Sequence, residues 1–177
     1  MKINFLYISI VVLLLSCNEI VPRRPVSSPK ISALDKTVLL NKRLFAEELI
    51  LMEKYMQSDS LYTYINSQKG FWYAYVNEKK DSRFPLKGDE VFFEQEIIAL
   101  NGTIIYAKKD LGLRKYVVDR EHAIKGIKEG IKIMREGEEI KFLFSSFVAF
   151  RMNGDASHSI GSNEPFVNYI KLVKINN

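Results

Sequence analysis

Hydrophobic positions change their period twice along the 177-residue chain. Residues 3–15, Ile-Asn-Phe-Leu-Tyr-Ile-Ser-Ile-Val-Val-Leu-Leu-Leu, carry no charge. Between 35 and 57 the apolar residues Val38, Leu39, Leu44, Phe45, Leu49, Met52 and Met56 recur at intervals near three and four. Asn41, Lys42, Arg43, Glu47, Glu48, Glu53 and Lys54 fill the gaps, and this spacing predicts an amphipathic helix with Asp35 as its N-cap. Its apolar stripe is expected to dock on the following domain, since a mixed-sign polar face suits solvent better than lipid.

After Asp59 the pattern becomes strand-like. Residues 70–76, Gly-Phe-Trp-Tyr-Ala-Tyr-Val, are aromatic and β-branched, and predict a strand. Residues 77–88 read as a polar loop, and 89–98 as a second strand closed by the Asn101-Gly102 turn. Short strands are expected at 103–106 and 116–119. Ile124, Ile127, Ile131 and Met134 at helical spacing predict a helix over 123–134, ended by the turn Glu136-Gly137-Glu138. Residues 139–144 and 166–175 supply the last strands, with a long Ser/Gly/Asn-rich loop between them. One short helix among antiparallel strands makes an α+β domain.

The uncharged run at 3–15 follows Met1-Lys2 and is too short for a comfortable membrane span, so it reads as a secretory signal. It ends in Leu14-Leu15-Ser16-Cys17, which resembles the bacterial lipobox, whose cysteine is acylated and becomes the new N-terminus. Lipidated Cys17 would anchor the mature chain to a membrane in the cell envelope, outside the cytoplasm. Pro22, Pro25 and Pro29 with Ser27, Ser28 and Ser32 then give an extended tether.

Composition narrows the chemistry. A single cysteine excludes a disulfide framework and a multi-cysteine zinc site, and two histidines, His122 and His158, make a histidine-rich metal centre unexpected. Net charge is +5, from 26 Lys+Arg against 21 Asp+Glu with the signs interspersed, which points away from a nucleic-acid partner. Ser145-Ser146 lacks a glycine elbow, neither histidine sits in a motif pairing it with a serine, and Gly126, Gly130 and Gly137 lack phosphate-cradling spacing. No metal, cofactor or acid–base pair is expected. These features alone describe a secreted α+β binding domain.

One stretch says more. Asn101-Gly102, then residues 124–138, Ile-Lys-Gly-Ile-Lys-Glu-Gly-Ile-Lys-Ile-Met-Arg-Glu-Gly-Glu, then Phe142-Leu143-Phe144, Ala149-Phe150 and Leu172-Val173-Lys174-Ile175 resemble an FKBP-type peptidyl-prolyl isomerase domain. Arg23-Arg24-Pro25-Val26-Ser27, Gly70-Phe71-Trp72-Tyr73 and Ile160-Gly161-Ser162-Asn163 are similar to the gliding-motility-associated FKBP lipoproteins of bacteria. The resemblance implies a twisted antiparallel sheet wrapped around one short helix, here preceded by the amphipathic helix. It implies segments at 1–16 (signal peptide), 17–34 (tether), 35–69 (helical extension) and 70–177 (FKBP-like domain).

The resemblance also implies the site. Ile124, Phe150, Ile127 and Tyr106 fall at the family's catalytic positions, and Ile105, Ala123 and Ile160 at substrate-binding ones. The backbone amide of Ile124 would anchor a substrate carbonyl. Phe150 stands for a tyrosine, Ile127 for a tryptophan, Ile105 for a phenylalanine, Ala123 for a valine and Tyr106 for an aspartate. Gln95 replaces another tyrosine, while Arg114 and Asn168 fall where phenylalanines are usual, which would wet the pocket. The implied partners are proline-containing proteins of the envelope, including gliding or secretion machinery, without a cofactor. The alternative is an FKBP-like binding or scaffold lipoprotein that does not catalyse.

Overall fold

The computed structural model describes residues 33–150, 153–155 and 160–177. The uncharged leader, Cys17, the proline-containing tether and His158 lie outside them. The backbone divides between Lys36 and Thr37, and the fold set out below is the unit Thr37–Asn177.

Seven strands form one antiparallel sheet: β1 (Ile65–Asn66), β2 (Phe71–Asn77), β3 (Glu90–Ala99), β4 (Ile104–Tyr106), β5 (Arg114–Val117), β6 (Glu139–Phe144) and β7 (Phe166–Asn176). Their order is β1-β2-β6-β7-β3-β4, with β5 beside β4 along the same edge of β3. Helix α1 (Ala33–Ser58) leads the chain, α2 (Lys108–Leu111) is a single turn, and α3 (Lys125–Ile131) packs on the sheet. The chain is therefore α+β, an antiparallel sheet with one short packed helix and an amino-terminal helix.

Burial explains the strand sequences. β3 alternates strictly, with Val91, Phe93, Gln95, Ile97 and Ala99 buried on one face, as a period-two element requires. β6 is buried on both faces. Ile140, Phe142 and Phe144 join Ile127, Ile131 and Met134 in the larger core, while Leu143 joins Met52 and Val167 in a smaller one beneath α1. This double cover is why Phe142, Leu143 and Phe144 follow one another with no polar residue between them. Phe142 and Phe144 stack at 5.3 Å, and Phe71 meets each of them edge-on.

Helix α3 lies close on β6 because two of its positions lack a side chain. A Cβ on Gly126 would come within 3.0 Å of the Phe144 ring, and one on Gly130 within 3.1 Å of the Phe142 ring. The turn after α3 is held by its acidic residues. Glu138, 2% exposed, accepts the N–H groups of Arg135 at 2.7 Å and Lys79 at 3.0 Å, and Glu136 accepts that of Ile175 at 2.8 Å.

Several boundaries differ from expectation. α1 begins at Ala33, so Asp35 sits in its first turn and is not its N-cap. The helix expected over 123–134 covers only Lys125–Ile131: Ile124 is extended, with ψ 148°, and Ile133 and Met134 close three-residue turns onto Gly130 and Ile131. The strand expected at 116–119 runs two residues earlier because Arg114 and Lys115 pair with Phe93 and Phe92. α2, β1 and the 3-10 turn Ser146–Val148 had no periodic signal of their own.

α1 docks through its second half. Met52 is fully buried, and Tyr55 and Met56 pack with Trp72, Tyr64 and Tyr169 around Leu143 and Val167. In its first half Val38 and Phe45 stay exposed, and Leu44 is half-buried.

Candidate functional site

A cavity of about 350 Å³ opens between the start of α3, the core face of β3, the β4–β5 edge and the turn after β6. Tyr106, Ala123, Ile124, Ile127 and Phe150 line it. Five of the seven residues expected at a pocket, drawn from three separate stretches of chain, therefore share one concavity. The other two lie elsewhere. Ile160 is 3% exposed within the larger core, bridged through its backbone to Asp155, and Ile105 packs half-buried against that core.

Local structure explains how the wall is built. Ile124 precedes the first turn of α3 in an extended conformation. Its backbone N–H donates to no group among the described residues, whereas its carbonyl accepts from Lys128 at 3.1 Å. Ile127, one turn on, is 6% exposed and gives the wall an apolar patch joined to the core. The Phe150 ring rests on Phe166, with centroids 5.7 Å apart. Tyr106 donates its hydroxyl to the Asp155 carboxylate, so this ring is held by an acid from the loop that follows Phe150.

Residues that sequence reasoning did not assign complete the lining. Phe93, Ile97 and Tyr116 add apolar surface. All three belong to the larger core, and the pairing of β3 with β5 brings them to the cavity. Lys115, Glu121, His122 and Asp155 bring charge and polarity to the mouth. Lys115 is paired with Glu90 at 3.0 Å, and Glu121 accepts the Val117 N–H at 3.0 Å.

Three polar replacements take different places. Arg114 and Gln95 line the cavity, and Arg114 is exposed. Asn168 does not: it is fully buried, and its side-chain amide lies 3.2 Å from that of Gln95. The expectation that Asn168 wets the pocket is corrected accordingly, because its polarity is satisfied beneath the cavity and only Arg114 and Gln95 reach it. A buried polar side chain with partners stabilises, whereas an orphaned one costs about 1–3 kcal/mol.

The arrangement can bind and enclose a ligand. Among the described residues no group of three His, Cys, Asp or Glu side chains converges as a metal site would require. What the cavity presents is apolar wall, an aromatic ring at Phe150, Ile124 with no partner for its N–H among the described residues, and a tyrosine held by a carboxylate.

Residues 81–173 match the FKBP-type peptidyl-prolyl cis-trans isomerase family. The cavity lies within that stretch. The chain is also similar to the probable FKBP-type peptidyl-prolyl cis-trans isomerase FkpA of Neisseria meningitidis serogroup B, at 32% identity over 100 residues. That similarity covers 56% of this chain and 36% of the relative, so the matched stretch spans about a third of the relative's length. With more than half its length matched and the apolar cavity at the start of its packed helix, the chain belongs to the FKBP-type peptidyl-prolyl cis-trans isomerase family.

Proposed function

We propose that the protein is a peptidyl-prolyl cis-trans isomerase of the cell envelope, held to a membrane by lipid on Cys17. Its substrates are proline-containing envelope proteins, the gliding or secretion apparatus among them. The observation that carries the catalytic reading is the convergence of Ile124, Ile127 and Phe150 on one cavity, with no partner for the Ile124 N–H among the described residues. The anchoring reading rests on the agreement of the uncharged run with the position of Cys17.

The reaction needs no covalent step. An X-Pro bond turns slowly because twisting it breaks amide resonance, against a barrier of about 18–20 kcal/mol. The twisted amide has less charge separation than the planar one, so an apolar wall favours it relative to water. The proline ring would sit against Phe150 and Ile127, and the Ile124 N–H would hold a substrate carbonyl while the bond rotates. Only contacts stronger in the twisted state than in the planar one accelerate rotation.

A protease-coupled isomerisation assay across X-Pro peptides tests the reading. Acceleration by the parent chain, reduced by Phe150→Ala in a variant that still folds, is the expected result. A folded parent that accelerates no peptide would end the enzyme reading. The second reading, a module that binds proline segments without turning them, has Arg114 in its favour, since a charged side chain stands in the wall where the family carries an aromatic.

A further inference from the structure

Glu48 is a buried acid that the proposed chemistry does not use. It lies on α1, outside the family match at residues 81–173, and is 4% exposed. Its neighbours on the docking stripe, Leu44, Met52, Tyr55 and Met56, are suited to packing. A helix that only had to dock would carry an apolar residue at 48, because a buried carboxylate loses its hydration. No Lys or Arg pairs with Glu48 among the described residues. Both of its oxygens go to a single residue: one accepts the backbone N–H of Ser146, the other the Ser146 hydroxyl at 2.8 Å.

Ser146 stands at a mechanically sensitive point. It opens the 3-10 turn Ser146–Val148, and its carbonyl accepts the Ala149 N–H at 3.0 Å. Phe150, the ring of the cavity wall, is the next residue. Ser145, just before, is fixed from the other side by its hydroxyl on the Gly70 carbonyl at 2.7 Å. The segment that delivers Phe150 is thus pinned to β2 through Ser145 and to α1 through Ser146. Charge-assisted hydrogen bonds of this kind are about twice as strong as neutral ones.

We propose that Glu48 is a positioning residue of the proline site: through Ser146 it sets the turn that presents Phe150, so the amino-terminal helix is a working part of the pocket. This rests on the isomerase reading for its kinetic consequences, though not for its structural ones. Glu48→Met keeps the docking stripe apolar and deletes both acceptors, whereas Glu48→Gln keeps one acceptor for the Ser146 N–H.

The full chain carries one tryptophan, Trp72, packed in the cluster beneath α1, so its emission reports whether the helix stays docked. In Glu48→Met we expect unchanged Trp72 emission, faster amide exchange at 146–150, and KM for X-Pro peptides raised about 10-fold with a smaller change in kcat. Glu48→Gln should recover most of the KM. Normal KM in Glu48→Met with a docked helix and loosened 146–150 overturns the proposal, as does a KM rise that Glu48→Gln fails to recover. If the parent turns over no X-Pro peptide, the isomerase reading fails by itself, and exchange at 146–150 decides the positioning claim: unaltered protection in Glu48→Met overturns it. Should Glu48→Met not fold, Glu48→Ala, which also deletes both acceptors and adds no bulk, is read the same way.

Discussion

Lys141 and Asp59, 82 residues apart in the chain, form an ion pair on the α1 side of the sheet, with the Lys141 side chain 3% exposed. The ammonium also lies over the rings of Tyr55, Tyr62, Tyr64 and Tyr169, at 4.6 to 5.9 Å from their centroids. Burial by itself would lower the Lys141 pKa, but hydrogen bonds to Asp59, Tyr55, Tyr169 and Tyr64 outweigh it and raise it above the usual lysine range. The pair fastens the segment after α1 to the middle of β6. Lys141→Met or Asp59→Asn alone should each cost about 1.5–3 kcal/mol, the worth of a hydrogen bond to a charged group, because the tyrosines around Lys141 and the Tyr64 hydroxyl on Asp59 still serve the remaining partner. Urea unfolding of the singles and the double checks this, and the double should cost less than the sum.

A second prediction concerns the seat of α3. Gly126→Ala puts a methyl group against the Phe144 ring, which is itself wedged between Phe71, Phe142 and Phe166. The ring has no room to yield, so the helix must lift. Overpacking of this kind costs about 1–3 kcal/mol, more than the gain in helix propensity of replacing glycine by alanine returns. A midpoint of urea unfolding equal to or above the parent's would contradict the close approach.

Much of this was legible in the chain. The strand at 89–98, closed by the Asn101-Gly102 turn, was placed correctly, and Glu136-Gly137-Glu138 announced a turn whose two carboxylates now account for three backbone N–H groups. Elements whose burial comes from distant partners were not legible. β5 begins at Arg114 because β3 pairs with it, and α2 carries no buried residue that could have left a period. At the site, Ile124, Ile127 and Phe150 were reached only through family resemblance, since each in isolation reads as core. Glu48 looked like one more polar residue between apolar ones until Ser146 came to meet it.

Acid should weaken the fold through Asp89. The Leu86 N–H, at 2.9 Å, and then the Arg83 guanidinium hold its carboxyl below the ordinary value of 3.8. A depressed folded pKa means that ionised Asp89 favours the native state. Its contribution is complete above the ordinary value and is lost as pH falls through the lower, folded one. Asp89→Asn should therefore be less stable than the parent at neutral pH, and the difference should shrink as the pH is taken below the ordinary carboxylate value and through the lower, folded one. A stability gap that is constant between those conditions would assign the effect to packing and not to charge.

Arg114 and Asn168, where the family resemblance implies aromatic rings, should respond oppositely to substitution by phenylalanine. Arg114 is exposed on the cavity wall with no hydrogen bond or ion pair among the described residues, so Arg114→Phe orphans nothing. It adds apolar surface where a substrate would sit, and burial of such surface is worth about 25 cal/mol per Å². Turnover of peptides with an apolar residue before proline should rise, with little change in stability. Asn168 is fully buried against Gln95, between Ile97 on β3 and Phe142 on β6. Asn168→Phe both overfills that space and strips Gln95 of its partner, two effects of about 1–3 kcal/mol each. Thermal or urea unfolding should show the loss, and the isomerisation assay should show no gain at 168 to match the one at 114. Equal gains at both positions would mean that Asn168 faces the substrate after all.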